Sequence, residues 1–120
     1  LLLRVIPLGN IFAEKIRIMG LLDLLGLGSK SESIQDFVNK GAIIIDVRTV
    51  GEFGDGHIKG SKNIPLDTIN GKLDEIKNLD KPVIVCCRSG MRSAQAASVL
   101  KSAGIEVING GGWQSLESKI

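Results

Sequence analysis

The sequence predicts an α/β domain with a mainly parallel sheet flanked by helices, and three observations carry that prediction. Two short runs, "AIIIDV" (Ala42 to Val47) and "PVIVC" (Pro82 to Cys86), are continuously apolar without helical periodicity, as strands covered on both faces are. Ser93 to Ala103 is alanine-rich and places Ala96, Val99, Leu100 and Ala103 in one apolar stripe, with Gly104 beyond it as a stop. Runs of these two kinds alternate along the chain, the pattern of parallel strands joined by helices.

Taken in order, residues 1–30 differ from the rest: they are rich in leucine and isoleucine but broken by Pro7, Gly9, Gly20, Gly26 and Gly28. The longest uncharged stretch there, Val5 to Ala13, is far shorter than the roughly 20 residues a membrane-spanning helix needs, so no stable membrane insertion is expected. The order of basic, apolar and small-residue regions of a secretory signal is missing, and Met19 is a candidate start. Residues 1–30 are therefore expected to be a leader or extension, of which 1–18 are dispensable, and 31–120 to be the domain.

Ser31 can cap a helix in which Ile34, Phe37 and Val38 share a face, ended by Gly41. The first buried strand follows. Leu66, Ile69, Leu73 and Ile76 are spaced for a helix that Gly71 weakens, and the second strand and the alanine-rich helix come next. Ile105 to Ile108 reads as a further strand, and Gly110, Gly111 and Gly112 as a flexible turn before Trp113.

A chain of 120 residues has room for one modest domain, and 43% hydrophobic residues suffice for its core. A net charge of +2, no basic block, three phenylalanines, one tryptophan and no tyrosine argue against nucleic acid as a partner. The only two cysteines are sequence neighbours, which removes a stabilising disulfide from consideration. Two vicinal cysteines and one distant histidine do not make the usual four-ligand spacing, so no metal is expected.

Those cysteines sit in "VIVCCRSGMRS", Val83 to Ser93, at the carboxyl end of a strand, where open α/β sheets gather their active sites. Between strand and helix lies a tight loop whose amide hydrogens can converge on an anion. A thiol at its centre is favoured as thiolate by those amides and by the cations Arg88 and Arg92. Cys86, ending the apolar strand, reads as a small core residue, and Cys87 as the nucleophile.

Counting from Cys86, five residues precede Arg92, which resembles the cysteine phosphatase loop. Counting from Cys87, four precede it in "CRSGMR", which resembles the shorter loop of the rhodanese, or sulfurtransferase, family. Gly90 stands three residues after Cys87, as both families place their glycine, and no histidine precedes the cysteines as phosphatases commonly have. "IIIDVRTVGEFGDGHIKGSKNIPL", Ile43 to Leu66, is similar to the rhodanese first-half signature, and "NGGGWQSL", Asn109 to Leu116, to its closing turn and helix. The resemblance covers residues 31 to 120 and implies the rhodanese fold, with a sheet of about five strands.

It also implies a single-domain sulfurtransferase in which Cys87 takes a sulfane sulfur from thiosulfate or a persulfide and carries it as a persulfide to an acceptor. Arg88, Ser89, Gly90, Met91 and Arg92 are then the substrate-binding loop, with no cofactor. The expected partners are a small-molecule sulfur donor, a thiol or cyanide acceptor, and a sulfur-carrier or thioredoxin-like protein. A cytoplasmic monomer is expected. A cysteine-dependent phosphatase using Cys86 and a non-catalytic binding module stay open as alternatives, because function resides in the site and not in the fold.

Asp46, Arg48 and Glu52 are expected to form a buried hydrogen-bonded charge cluster that holds loops, with Ser93 as further structural support. His57 reads as a hydrogen-bonded structural residue, since a thiolate activated by its loop needs no general base. Trp113 is expected to close the core.

Overall fold

A computed structural model describes residues 32–120, and the readings made for the leader and for Ser31 lie outside them. The first helix, α1 (Ile34–Asn39), starts from Ser33: its Oγ accepts the Asp36 N–H at 3.1 Å, and Asp36 Oδ2 accepts the Ser33 N–H at 3.0 Å. Ser33 has a carboxylate three residues on, whereas Ser31 has Ile34 there, so only Ser33 can make the reciprocal pair. Gly41, at φ +79°, ends the helix, and the Ala42 N–H returns to the Phe37 carbonyl at 3.0 Å.

The next elements are β1 (Ile43–Asp46), α2 (Val50–Gly54), β2 (Lys62–Asn63), a 3-10 segment (Leu66–Lys72) and α3 (Leu73–Asn78). The predicted helix around Leu66 to Ile76 is thus split, with Gly71 inside its looser first half, where the residue costs least. Then come β3 (Val83–Cys87), α4 (Met91–Ser102), β4 (Val107–Gly112) and α5 (Trp113–Glu117). Helix α4 ends as α1 does, with Gly104 at φ +85° and the Ile105 N–H on the Leu100 carbonyl at 3.0 Å.

The sheet is parallel throughout, in the order β2-β1-β3-β4. Among the described residues it has four strands where about five were expected. β2 contributes only two residues, and Gly110 to Gly112, expected as a turn, are strand. They can be strand because β4 carries a bulge: Val85 faces Asn109 but Cys86 faces Gly111, which leaves Gly110 over. A Cβ on Gly110 would lie 2.8 Å from Ile84 Cγ2 and 2.9 Å from Leu116 Cδ2, so only glycine fits there.

The central strand β3 is buried along its whole length and feeds two cores. Val83, Val85 and Cys87 join Ile45, Val47, Ile69, Ala96 and Leu100 on one face. Ile84 and Cys86 join Phe37, Ile58 and Leu116 on the other. The side-chain period of two in a strand is what sends the neighbouring cysteines to opposite faces.

Candidate active site

Cys87 is the last residue of β3, and the chain turns over its sulfur before entering α4. Gly90 makes the turn. It caps α4 at φ +101°, a conformation open to glycine, and its N–H donates to Cys87 Sγ at 2.9 Å. A Cβ on Gly90 would also come within 3.3 Å of Gly111 Cα. The loop rests on the glycine strand, since a Cβ on Gly112 would be 2.8 Å from the Arg88 carbonyl oxygen. Gly111 and Gly112 therefore form a floor that lets the loop backbone lie close to β4.

Ser93, buried in the first turn of α4, sets its Oγ 3.4 Å from Cys87 Sγ. Burial pushes the Cys87 thiol up, but hydrogen bonds from Ser93 and from the Gly90 and Ser89 amides outweigh it, and the thiol is held below its ordinary value. Cys86 goes the opposite way. Burial, reinforced by the nearby Asp46 carboxylate, pushes it up to about 12, despite the opposing charge of Arg48. Both cysteines are free and fully buried; hydrogen-bond donors turn the shift downward at Cys87, while at Cys86 burial and the Asp46 carboxylate act together.

Arg88, Ser89 and Met91 are exposed at the loop surface, and Met91 is 77% accessible. No hydrogen bond or ion pair of the Arg88 side chain is made among the described residues. Arg92 is engaged differently: it grips Glu52 with both terminal nitrogens, at 2.7 and 3.0 Å. This guanidinium, followed by the Thr49 N–H, holds the Glu52 carboxyl far below the usual carboxylate range. Glu52 in turn caps α2 through Thr49, so the bridge fastens the start of α2 to the start of α4 beside the loop.

The expected cluster of Asp46, Arg48 and Glu52 is therefore two units. Asp46 and Arg48 form the buried one, with Arg48 Nε 2.9 Å from Asp46 Oδ1 and Nη2 2.7 Å from Oδ2. Arg48 also donates to the Glu52 and Gly56 carbonyls, at 3.2 and 2.7 Å, so it touches Glu52 only through the backbone. Removal of either partner would leave the other buried and unpaired, which is the costly way to break such a pair. Arg48 stacks over the half-buried Trp113 ring at 4.7 Å. Trp113 thus packs at the edge of the second core while bracing the charge pair. His57 is exposed, stacks on Phe53 and donates from Nδ1 to the Phe53 carbonyl at 2.8 Å.

One residue of the site escaped the sequence reading as an individual. Asn109, at the bulge of β4, accepts the Ser93 hydroxyl at 2.6 Å and donates to the Gly90 carbonyl at 3.1 Å. It was visible only as the first letter of "NGGGWQSL", because its partners lie 16 and 19 residues away.

The arrangement is a tight loop folded over a hydrogen-bonded sulfur, on the carboxyl end of a parallel strand. The model of the Rhodanese-like domain matches residues 30–119. The chain belongs to the rhodanese-like family. It is 42% identical over 81 residues to YqhL of Bacillus subtilis, across 66% of this chain and 64% of YqhL. To the thiosulfate sulfurtransferase GlpE of Stutzerimonas stutzeri it is 34% identical over 70 residues, across 58% of this chain and 63% of GlpE. It thus spans just under two thirds of each of these relatives. Among solved structures, reduced Bacillus anthracis CoADR-RHD aligns with a TM-score of 0.60 at 40% identity, covering 71% of this chain and 15% of that one. The rhodanese-like family and the α/β fold are thus as the sequence resemblance implied. No helix among the described residues is long and apolar enough to cross a membrane.

Proposed function

We propose that this rhodanese-like domain is a sulfurtransferase that works through a persulfide on Cys87. The observation that carries the reading is the hydrogen-bonded Cys87 sulfur, held below its ordinary thiol pKa at the centre of the loop while Cys86 faces the opposite side of the sheet.

In the first step the Cys87 thiolate attacks the outer sulfur of thiosulfate, or of a small-molecule persulfide. The sulfur–sulfur bond of the donor breaks, and sulfite or a thiolate leaves with the bonding electrons. Cys87 now carries a negatively charged outer sulfur, which the loop amides stabilise as they did the thiolate. In the second step cyanide or an acceptor thiolate attacks that outer sulfur, and the Cys87 thiolate is the leaving group. Two displacements at one residue give ping-pong kinetics. Arg88, exposed at the rim, attracts the anionic donor. Arg92, committed to Glu52, keeps the end of the loop in place and adds positive charge.

Among the acceptors, a small thiol, cyanide and a sulfur-carrier or thioredoxin-like protein share the required nucleophile. A phosphatase built on Cys86 has less support, because that sulfur lies among Phe37, Ile58, Ile84 and Leu116. The test is the intact mass of the protein after thiosulfate and then after cyanide. A gain of one sulfur atom that cyanide removes, and that Cys87→Ser prevents, is the expected result. Hydrolysis of a phosphate ester with no sulfur uptake would overturn the proposal.

A further inference from the structure

The Ser93 hydroxyl has one proton and two acceptors within reach, Asn109 Oδ1 at 2.6 Å and Cys87 Sγ at 3.4 Å. The Asn109 amide has a determined orientation. Its Oδ1 also accepts the Gly111 N–H at 2.9 Å, and its Nδ2 donates to the Gly90 carbonyl, so the flipped amide would set donor against donor and oxygen against oxygen. The shorter contact of the Ser93 hydroxyl is therefore the one to the asparagine.

We propose that Asn109 is a positioning residue that competes with the Cys87 sulfur for the Ser93 proton and so weakens the hydrogen bond that Ser93 gives the thiolate. Its other contact fastens the Gly90 carbonyl, and with it the Gly90 N–H aimed at the sulfur. The backbone amides then stabilise the anion beside a hydroxyl that is shared with the asparagine. The consequence is kinetic: a more weakly hydrogen-bonded thiolate is the stronger nucleophile, because nucleophilicity falls as the thiol becomes more acidic.

The inference rests on Cys87 being the nucleophile and extends the site to a residue outside the loop. The other charged or titratable groups around this sulfur are Arg88 on the loop, Arg92 on α4 with Glu52 of α2, and Cys86, Asp46 and Arg48 beyond the strand. All of them except Cys86 stay constant in the comparison that follows, and Cys86 is replaced in every arm.

The experiment follows thiolate ultraviolet absorbance against pH in the full chain carrying Cys86→Ala. The chain has no tyrosine to contribute a phenolate. The effect of Ser93→Ala is measured with Asn109 intact, in Asn109→Ala, and in Asn109→Asp, which keeps the acceptor oxygen. With Asn109 intact, and again in Asn109→Asp, the change in acid dissociation constant is expected to stay within about twofold. In Asn109→Ala the freed hydroxyl donates to the sulfur, so Ser93→Ala is expected to weaken the acid by about threefold or more. An equal weakening in all three backgrounds would overturn the proposal. Asn109→Val, suited to a strand, takes the place of Asn109→Ala if that variant does not fold. Sulfur uptake, read by mass in the same proteins, separates the two ideas: its absence counts against the persulfide cycle, and equal titration shifts count against Asn109.

Discussion

Cys86 and Cys87 share a strand, a peptide bond and complete burial, yet their surroundings drive them apart. On one face of β3, Cys86 meets Phe37, Ile84 and Leu116 with the Asp46 carboxylate near, and its thiol is pushed up to about 12. On the other, Cys87 meets the Gly90 amide and the Ser93 hydroxyl and is held below its ordinary value. Burial raises both, so burial does not decide which is reactive. The hydrogen-bond donors that reach Cys87 and the carboxylate that faces Cys86 do.

The comparison is broken most directly by exchanging the sulfurs one at a time. Cys87→Ser is expected to abolish sulfur transfer, whereas Cys86→Ser retains much of it, as steady-state rates with thiosulfate and cyanide would show. A dead Cys86 variant beside an active Cys87 variant would reverse the assignment.

Next in size is an attack on the floor under the loop. Gly112→Ala sets a methyl 2.8 Å from the Arg88 carbonyl oxygen and must lift the loop off β4. Because misplacing catalytic groups by about 1 Å can cost on the order of a hundredfold in rate, transfer is expected to fall by about tenfold or more. The control is Gly51→Ala, which meets no atom within 4 Å and is expected to leave the rate unchanged.

A smaller and more selective loss is expected from Arg88→Ala. A well-formed charge-assisted contact to a dianionic donor is worth about 1.5 to 3 kcal/mol, so persulfide formation slows while discharge to the acceptor changes less. Stopped-flow measurement of the two half-reactions reads the split, and equal slowing would remove Arg88 from donor binding.

The pH dependence gives the smallest effect near neutrality and sharpens the contrast. A thiol held below its ordinary value is more fully ionised at a given pH, so persulfide formation is expected to rise with pH and level off earlier than for an unperturbed cysteine. Cys86, pushed up to about 12, adds no second rise across the neutral range. A rate still climbing steeply through the ordinary thiol range would show that the loop does not stabilise the thiolate.

Much of this site could be read along the chain because its parts are local. The apolar runs before Asp46 and Cys87, the glycine three residues after Cys87 and the apolar stripe of α4 depend on spacings of a few residues. Such spacings follow from the periods of strand and helix. Asn109 and the bridge from Arg92 to Glu52 depend instead on which elements become neighbours, across separations of 16, 19 and 40 residues.

The amino-acid sequence alone was enough for a parallel α/β domain, for the loop at the end of its second buried strand, and for Cys87 as the candidate nucleophile, because alternation and loop spacing are properties of contiguous residues. Tertiary structure decided that Gly110 to Gly112 are a bulged strand and not a flexible turn. A glycine's part there is defined by what its missing side chain makes room for: Ile84 and Leu116 at Gly110, the Arg88 carbonyl at Gly112. It likewise parted Glu52 from Asp46 and Arg48, since an ion pair forms with whichever opposite charge packing brings within reach. For Glu52 that charge is Arg92, delivered by the helix that follows the loop.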